Sequence, residues 1–420
     1  MAQLTQLNGQ LSVDGVRLRA DLEALGRIGE VAGGGISRTS FSAADAQARE
    51  WYLERCAQAG LSVEVDGVGN MFVSAPADAH RHEPAVWSGS HIDTVPRGGR
   101  FDGAVGTVAA LECVRRLHEA KVWLARPVRA VVYSDEEGNY SHLFGSSALV
   151  HGFTHAQLEA LTGRDGDRFV DTFVAAGWDL DRATQTRLDP QAVHATVELH
   201  IEQGPQLEQR GDRIGVVTGI VGLGGATLTY RGRADHAGTT PMAMRRDALL
   251  AASALIVGLP DIARSVSDRA VVTVGVITVE PGGANVVPQT ARLSVDFRDP
   301  DGERLAQLGR AITAAVGEVA TRYGVQVDLD VAPVIAPCTL DERIQKIIAG
   351  AAAGRGLSAS QLPSGAGHDS QNLATVAPTG MIFIPSTGGR SHCPQEHTTW
   401  QDIENGANVL LDTVTALAGR

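Results

Sequence analysis

The spacing of apolar and polar positions changes several times along the chain, and each change predicts an element. Residues 14–30 and 42–59 read as helices; the second opens on Ser42-Ala-Ala-Asp45, close to a capping box, and stops at Gly60. Two short strands, 61–66 and 71–74, flank the turn Gly67-Val-Gly-Asn70. An apolar strand at 85–87 feeds a polar, glycine-rich stretch, and a helix spans 105–120. Residues 128–133 are apolar apart from Arg129, as in a mostly buried parallel strand. Residues 146–190 read as helical or irregular. Around Thr196-Val-Glu-Leu-His200 the pattern alternates, which puts Glu198, His200 and Glu202 on one face of a strand.

From about residue 214 the pattern turns strand-rich, with alternating strands at 225–231, 270–279 and 291–298 and helices at 244–259 and 302–323. From 330 the first style resumes: helix 340–352, apolar strand 380–384, helix 399–418. Strand, helix, strand in sequence is an α/β unit, and the middle stretch reads as a separate α+β insertion. The expected division is 1–213 with 330–420 as one discontinuous domain and 214–329 as the inserted one.

Composition narrows this picture. A chain of 420 residues with 43% hydrophobic content can bury a large core in two or three domains. A net charge of −12 argues against nucleic acid, which needs a basic surface. The first ten residues have no basic or apolar leader pattern, and no apolar run reaches membrane-spanning length, so no membrane partner is expected. Cys56, Cys113, Cys338 and Cys393 lack paired spacing, which fits reduced thiols and a cytoplasmic setting.

Candidate chemistry gathers at strand ends. His91 and Asp93 share a face of one strand, and Asp102 follows in a loop. Glu136 and Glu137 follow the next strand and point to opposite sides of an extended chain. His200 and His392 come from two further strands. Imidazole and carboxylate without thiolate suit zinc, manganese, cobalt or nickel. These ligands suffice for two ions sharing one carboxylate, a pair that activates a water between them, while a remaining glutamate moves the proton. No G-x-S-x-G, P-loop or H-E-x-x-H competes, and Gly222-Leu-Gly-Gly lacks the spacing of a dinucleotide fingerprint.

Eight stretches then carry a resemblance. They are Gly89-Ser-His-Ile-Asp-Thr-Val with Gly99-Arg-Phe-Asp-Gly, Asp135-Glu-Glu-Gly, Leu199-His-Ile-Glu-Gln-Gly-Pro, Ala234-Asp-His-Ala-Gly-Thr-Thr-Pro-Met, Gly283-Ala-Asn-Val-Val-Pro, Asp296-Phe-Arg-Asp, Ser364-Gly-Ala-Gly-His-Asp and Ser391-His-Cys-Pro-Gln-Glu. With them the chain resembles the amidase, hydantoinase and carbamoylase family of dinuclear metal amidohydrolases, relatives of metallo-aminoacylases and dipeptidases.

The resemblance implies a metallopeptidase-like catalytic domain, with a mostly parallel sheet between helices, and an inserted lid and dimerisation domain. It implies two divalent ions per subunit, zinc first, with manganese, cobalt or nickel also fitting. His91, Asp102 and His200 would hold one ion; Asp102, Glu137 and His392 the other. Glu136 would be general base and acid, and the Asp93 carboxylate would orient His91. His236, reaching a partner subunit's site in a homodimer, would stabilise the oxyanion, helped by Asn285. Arg298 and Gln203 would grip a substrate carboxylate, and Gly365 to His368 would line the pocket. Relatives also place a cis peptide just after the shared aspartate.

The implied reaction is hydrolysis of the linear ureido C–N bond of an N-carbamoyl-L-amino acid, allantoate or ureidopropionate. An N-acyl-amino-acid deacylase or dipeptidase, and a metal-containing binding protein without turnover, are the alternatives. One departure stands out: many relatives continue Glu-Glu-Gly with Ser-Arg-Phe, whereas this chain reads Asn139-Tyr-Ser-His142-Leu-Phe. His142 reads as a surface-loop residue.

Overall fold

A computed structural model describes residues 11–419 except residue 333, so the N-terminal stretch read for a leader lies outside the described residues. The chain divides into two compact units: residues up to Thr218 with those from Thr339 onward, and Gly219–Cys338. Ile214–Ile220 pairs with Thr379–Ile384 at Val216 and Gly215, so the start of that strand belongs to the first unit's sheet.

Four parallel strands form the centre of that sheet, in the order Val128–Tyr133, Ala85–His91, Val193–Ile201, Thr379–Ile384. Antiparallel strands flank them: Met71–Ser74 and Ser62–Val65 on one side, Ile214–Ile220 on the other. Every residue of Ala85–His91 is buried, as expected of a parallel strand covered on both faces. Val86 packs in the core with Val105, Val108 and Ile403 of helices Ala104–Glu119 and Trp400–Ala418. Its neighbours Ala85 and Trp87 face a second cluster with Val131, Leu149 and Leu373. The mainly parallel sheet between helices is the expected α/β class.

Parallel strands put their carboxyl ends along one edge, where α/β folds place their sites. His91 closes its strand, Glu136 and Glu137 follow Tyr133, His200 precedes the last residue of its strand, and His392 follows Ile384. Helix Ala104–Glu119 starts at this edge and lies so close to the sheet that a Cβ at Gly106 would overlap the Leu199 carbonyl oxygen.

The second unit is a four-stranded antiparallel sheet, in the order Gln326–Val331, Gly222–Arg231, Thr290–Asp299, Val271–Glu280. Ala291, Leu293, Val295 and Phe297 alternate along one strand and pack with Leu255 and Leu259 of Ala248–Val266 and with Leu308 and Ile312 of Gly302–Tyr323. The first of these helices runs through Pro260 to Val266, beyond the expected end at 259. A mid-helix proline costs about 3 kcal/mol. The buried stripe Ala251, Leu255, Leu259, Ala263 continues past the proline, and its packing offsets that cost. By length and composition alone this helix is long and apolar enough to cross a membrane, which corrects the expectation that no segment is. Its stripe instead covers this sheet.

Gly106→Ala should destabilise the first unit by about 1–3 kcal/mol through overpacking. Denaturant unfolding checks this; an unchanged midpoint would show that the helix can move away from Leu199.

Candidate metal centre

The two imidazoles at the sheet edge are oriented by the backbone. His91 Nδ1 lies 3.1 Å from the Asp93 carbonyl and His200 Nδ1 lies 2.8 Å from the Ile201 carbonyl. A carbonyl oxygen can only accept, so both Nδ1 atoms carry a hydrogen and both Nε2 atoms face the cluster, where His200 Nε2 also lies 3.2 Å from the Gly103 nitrogen. His200 Nε2 is 3.1 Å and His91 Nε2 is 3.8 Å from the same oxygen, Asp102 Oδ1. The second Asp102 oxygen, Oδ2, lies 3.3 Å from His392 Nε2, which is 3.4 Å from Glu137 Oε1. The structure thus brings together two ligand groups, His91–Asp102–His200 and Asp102–Glu137–His392, with Asp102 in both. Each of its oxygens faces a different group.

The turn after Asp102 makes this approach possible. Gly103 has φ +63°, and a Cβ there would overlap the His91 ring. The expected cis peptide after Asp102 is not present: the bond is trans, and among the described residues the cis bond is Glu280–Pro281. Glycine at 103 makes the sharp turn through φ instead.

Glu136 Oε2 lies 3.5 Å from His91 Nε2, yet Glu136 belongs to neither ligand group. The Glu136–Glu137 turn rests on two aspartates. The Asp93 carboxylate accepts the N–H of Glu137 at 3.1 Å and of Glu136 at 3.4 Å. This differs from the expected role: the Asp93 carbonyl orients His91, while its carboxylate, 3.7 Å from that ring, anchors the glutamates. Asp135, at φ +51°, accepts the N–H groups of Asn139, Tyr140 and Ser141. Asp135 had no role in the sequence reading; its signal was an aspartate opening a short polar loop, an Asx-type turn. His142 also does more than expected of a surface residue, since its Nδ1–H donates to the Glu136 carbonyl at 3.0 Å.

Crowding sets the electrostatics. Burial lifts the Glu136 carboxyl well above its ordinary pKa, and Glu137 and Asp369 add to the shift. Burial and Asp102 push Glu137 up to about 8. Burial acts upward on Asp102 too, but hydrogen bonds from His200 and His392 hold it well below the usual range. Burial lowers His91 to about 4. For His200 burial is outweighed by Asp102, which raises the imidazole to about 9. The Asp102 hydrogen bond likewise lifts His392 to about 9. Buried carboxylates crowded in this way call for positive charge among them, and the imidazole and carboxylate donors fit a divalent cation.

Three comparisons place the chain among known proteins. Residues 87–416 match the model of peptidase family M20/M25/M40. The chain belongs to that family. Within it, the chain is 36% identical over 406 residues to an N-carbamoyl-L-amino-acid amidohydrolase of Paenarthrobacter aurescens, covering 96% of this chain and 97% of that one. It is 32% identical to an allantoate amidohydrolase of Bacillus subtilis, covering 94% and 96%. A crystal structure of a hydantoinase/carbamoylase family amidase from Burkholderia vietnamiensis superposes with a TM-score of 0.88 at 35% identity, over 99% of this chain and 100% of that one.

The M20 chain's remaining site candidates fall in several places. Gln203, at φ +58°, donates its amide to Asp102 Oδ2 at 2.8 Å, so it engages the shared carboxylate. His368 is buried, packs edge-on against His200 with centroids 4.5 Å apart, and lies 3.0 Å from Ser364 Oγ, while Gly365 is exposed. Glu198, on the same strand face as His200, accepts the hydroxyls of Ser90 and Ser370. His236, Asn285 and Arg298 lie in the second unit. There His236 pairs with Val286, and Ala237 N–H donates to the Asn285 carbonyl, so the two candidates are neighbours. His236 Nδ1 accepts the N–H groups of Gly238 and Thr239 at 3.1 and 3.2 Å, which leaves the hydrogen on Nε2. Arg298 holds Asp296 through two hydrogen bonds, at 2.9 and 3.2 Å.

Glu137, His200 and His392, with pKa values raised to about 8, 9 and 9, keep protons at pH 7 that a metal must displace. Metal uptake should therefore release protons, and affinity should rise from pH 6 to pH 9. Calorimetry in buffers of different ionisation enthalpy checks this; affinity independent of pH would contradict it.

Proposed function

We propose that this chain hydrolyses the ureido C–N bond of an N-carbamoyl-L-amino acid or a close relative such as allantoate or ureidopropionate, giving amine, carbon dioxide and ammonia. One observation carries the reading: the two oxygens of Asp102 face separate histidine–carboxylate groups, with Glu136 beside them but in neither. The names of its relatives support the ureido substrate. We assign two divalent ions, zinc first, to His91, Asp102 and His200 and to Asp102, Glu137 and His392. Such ions polarise a carbonyl and make bound water more acidic.

The protein's own groups supply the rest. Glu136 takes the proton of the attacking water and delivers it to the leaving nitrogen; burial, which favours its protonated form, suits that transfer. His236 donates Nε2–H to the oxygen that gains charge, in the site of a partner copy, with Asn285 beside it. Arg298 is assigned to the substrate carboxylate, which competes there with Asp296 for the guanidinium. Gln203 steadies Asp102, Gly365 lines the pocket, and His368 supports His200. The second unit is assigned as lid and dimerisation surface: its outer strand Val271–Glu280 exposes Val271, Val276 and Ile277. Four free cysteines suit a reducing cytoplasm.

A substrate panel tests the reaction. After chelation and reloading with zinc, manganese or cobalt, a ureido acid should release ammonia; deacylation of N-acetyl amino acids or peptides instead would favour the alternative hydrolase. Glu136→Gln should lower kcat at least ~100-fold with metal content unchanged. Retained turnover would remove Glu136 from its role. Mixed dimers of His236→Ala and Glu136→Gln chains should recover part of the activity, and no recovery would argue for a site built within one chain.

A further inference from the structure

We infer that Glu396 is the positioning residue of the shared carboxylate: it fixes the backbone of Asp102 and couples it to the loop that carries His392. The inference rests on the reading of Asp102 as a bridge between two ions.

Glu396 is buried, 5% exposed, and its carboxylate contacts Phe101, Asp102 and Ser391. Its Oε1 accepts the N–H of Phe101 at 2.8 Å and of Asp102 at 3.1 Å. Its Oε2 lies 2.8 Å from the Ser391 hydroxyl, and that hydroxyl is 2.7 Å from Asp102 Oδ2. One side chain therefore holds the Asp102 main chain directly and meets its carboxylate at Ser391, whose single hydroxyl proton serves one of the two carboxylates at a time. The loop is moulded to it, since a Cβ at Gly99 would overlap the Glu396 carboxyl. Ser391 and Glu396 bracket His392, which takes φ +54° between them. Residues 99–102 and 391–396 are almost 300 positions apart, and Glu396 joins Ser391 and His392 in tying them together at the cluster. It belongs to neither ligand group, so it acts through Asp102 and His392 rather than on a reacting atom.

The chemistry of the contacts separates positioning from mere filling of space. A glutamine keeps a carbonyl oxygen for the two N–H groups, and its amide donates to Ser391 Oγ, leaving the hydroxyl to serve Asp102. An alanine keeps none of these bonds. Supporting residues around metal ligands alter affinity by roughly 10–100-fold when removed.

The test uses the full chain and cobalt(II) as probe. Wild type, Glu396→Ala, Glu396→Gln and Ser391→Ala are titrated with cobalt against a chelator. The visible spectrum, the melting temperature of the metal-free protein, and kcat and KM for an N-carbamoyl amino acid are measured alongside. Glu396→Ala should weaken cobalt binding about 10–100-fold, shift the cobalt spectrum and lower kcat, with KM within about twofold. Glu396→Gln should restore affinity and spectrum, and Ser391→Ala should fall between. Wild-type affinity and spectrum in Glu396→Ala would overturn the inference, as would losses in Ala and Gln alike that follow melting temperature. If Glu396→Ala does not fold, Ser391→Ala decides, and unchanged affinity there overturns the coupling to Asp102. A wild-type chain that binds fewer than two cobalt ions sinks the bridging reading itself, and the inference with it, before any variant is compared.

Discussion

The structure depends on one carboxylate serving two neighbours. Asp102 turns Oδ1 toward His91 and His200 and Oδ2 toward His392, Gln203 and Ser391. A buried carboxylate costs free energy unless it is paired and hydrogen-bonded. Here it is paired from both sides, and the cost of crowding falls on Glu136 and Glu137, whose carboxyls are pushed upward. Every neighbouring feature reads as a means of holding that one group in place.

The scaffold does this mainly with backbone. Parallel strands align His91, His200 and the two glutamates on one edge, and carbonyls of Asp93 and Ile201 orient the imidazoles. Gly103 lets the loop press against His91. Asp93 and Asp135 use their carboxylates on main-chain N–H groups to shape the turn that carries Glu136 and Glu137. Rigid ligands on strand ends, corrected by short polar loops, give a pocket whose donors are placed before any ligand arrives.

Much of this was legible because it is local. The mostly apolar strand at 128–133 and the glycine-bounded helix at 42–59 carry their own signals, and ligand residue types at strand ends point to a metal. What was hidden depends on direction and distance. The sequence puts Asp93 beside His91 but not which of its oxygens does the orienting. The resemblance gives Gln203 to a substrate carboxylate, while the structure has its amide, on a residue at φ +58°, donating to Asp102. The course of the helix through Pro260 is decided by a stripe whose partners lie on another strand, beyond any local rule. Glu396 was visible as a letter in a motif, and its contacts with Phe101 and Asp102 come from nearly 300 residues away.

The most direct measurement of the account is anomalous diffraction from crystals loaded with zinc, recorded at the zinc edge. The account predicts two peaks roughly 3.5–4 Å apart, one beside Asp102 Oδ1 with His91 and His200, the other beside Oδ2 with Glu137 and His392. A single peak, or two peaks of which only one touches Asp102, would contradict it.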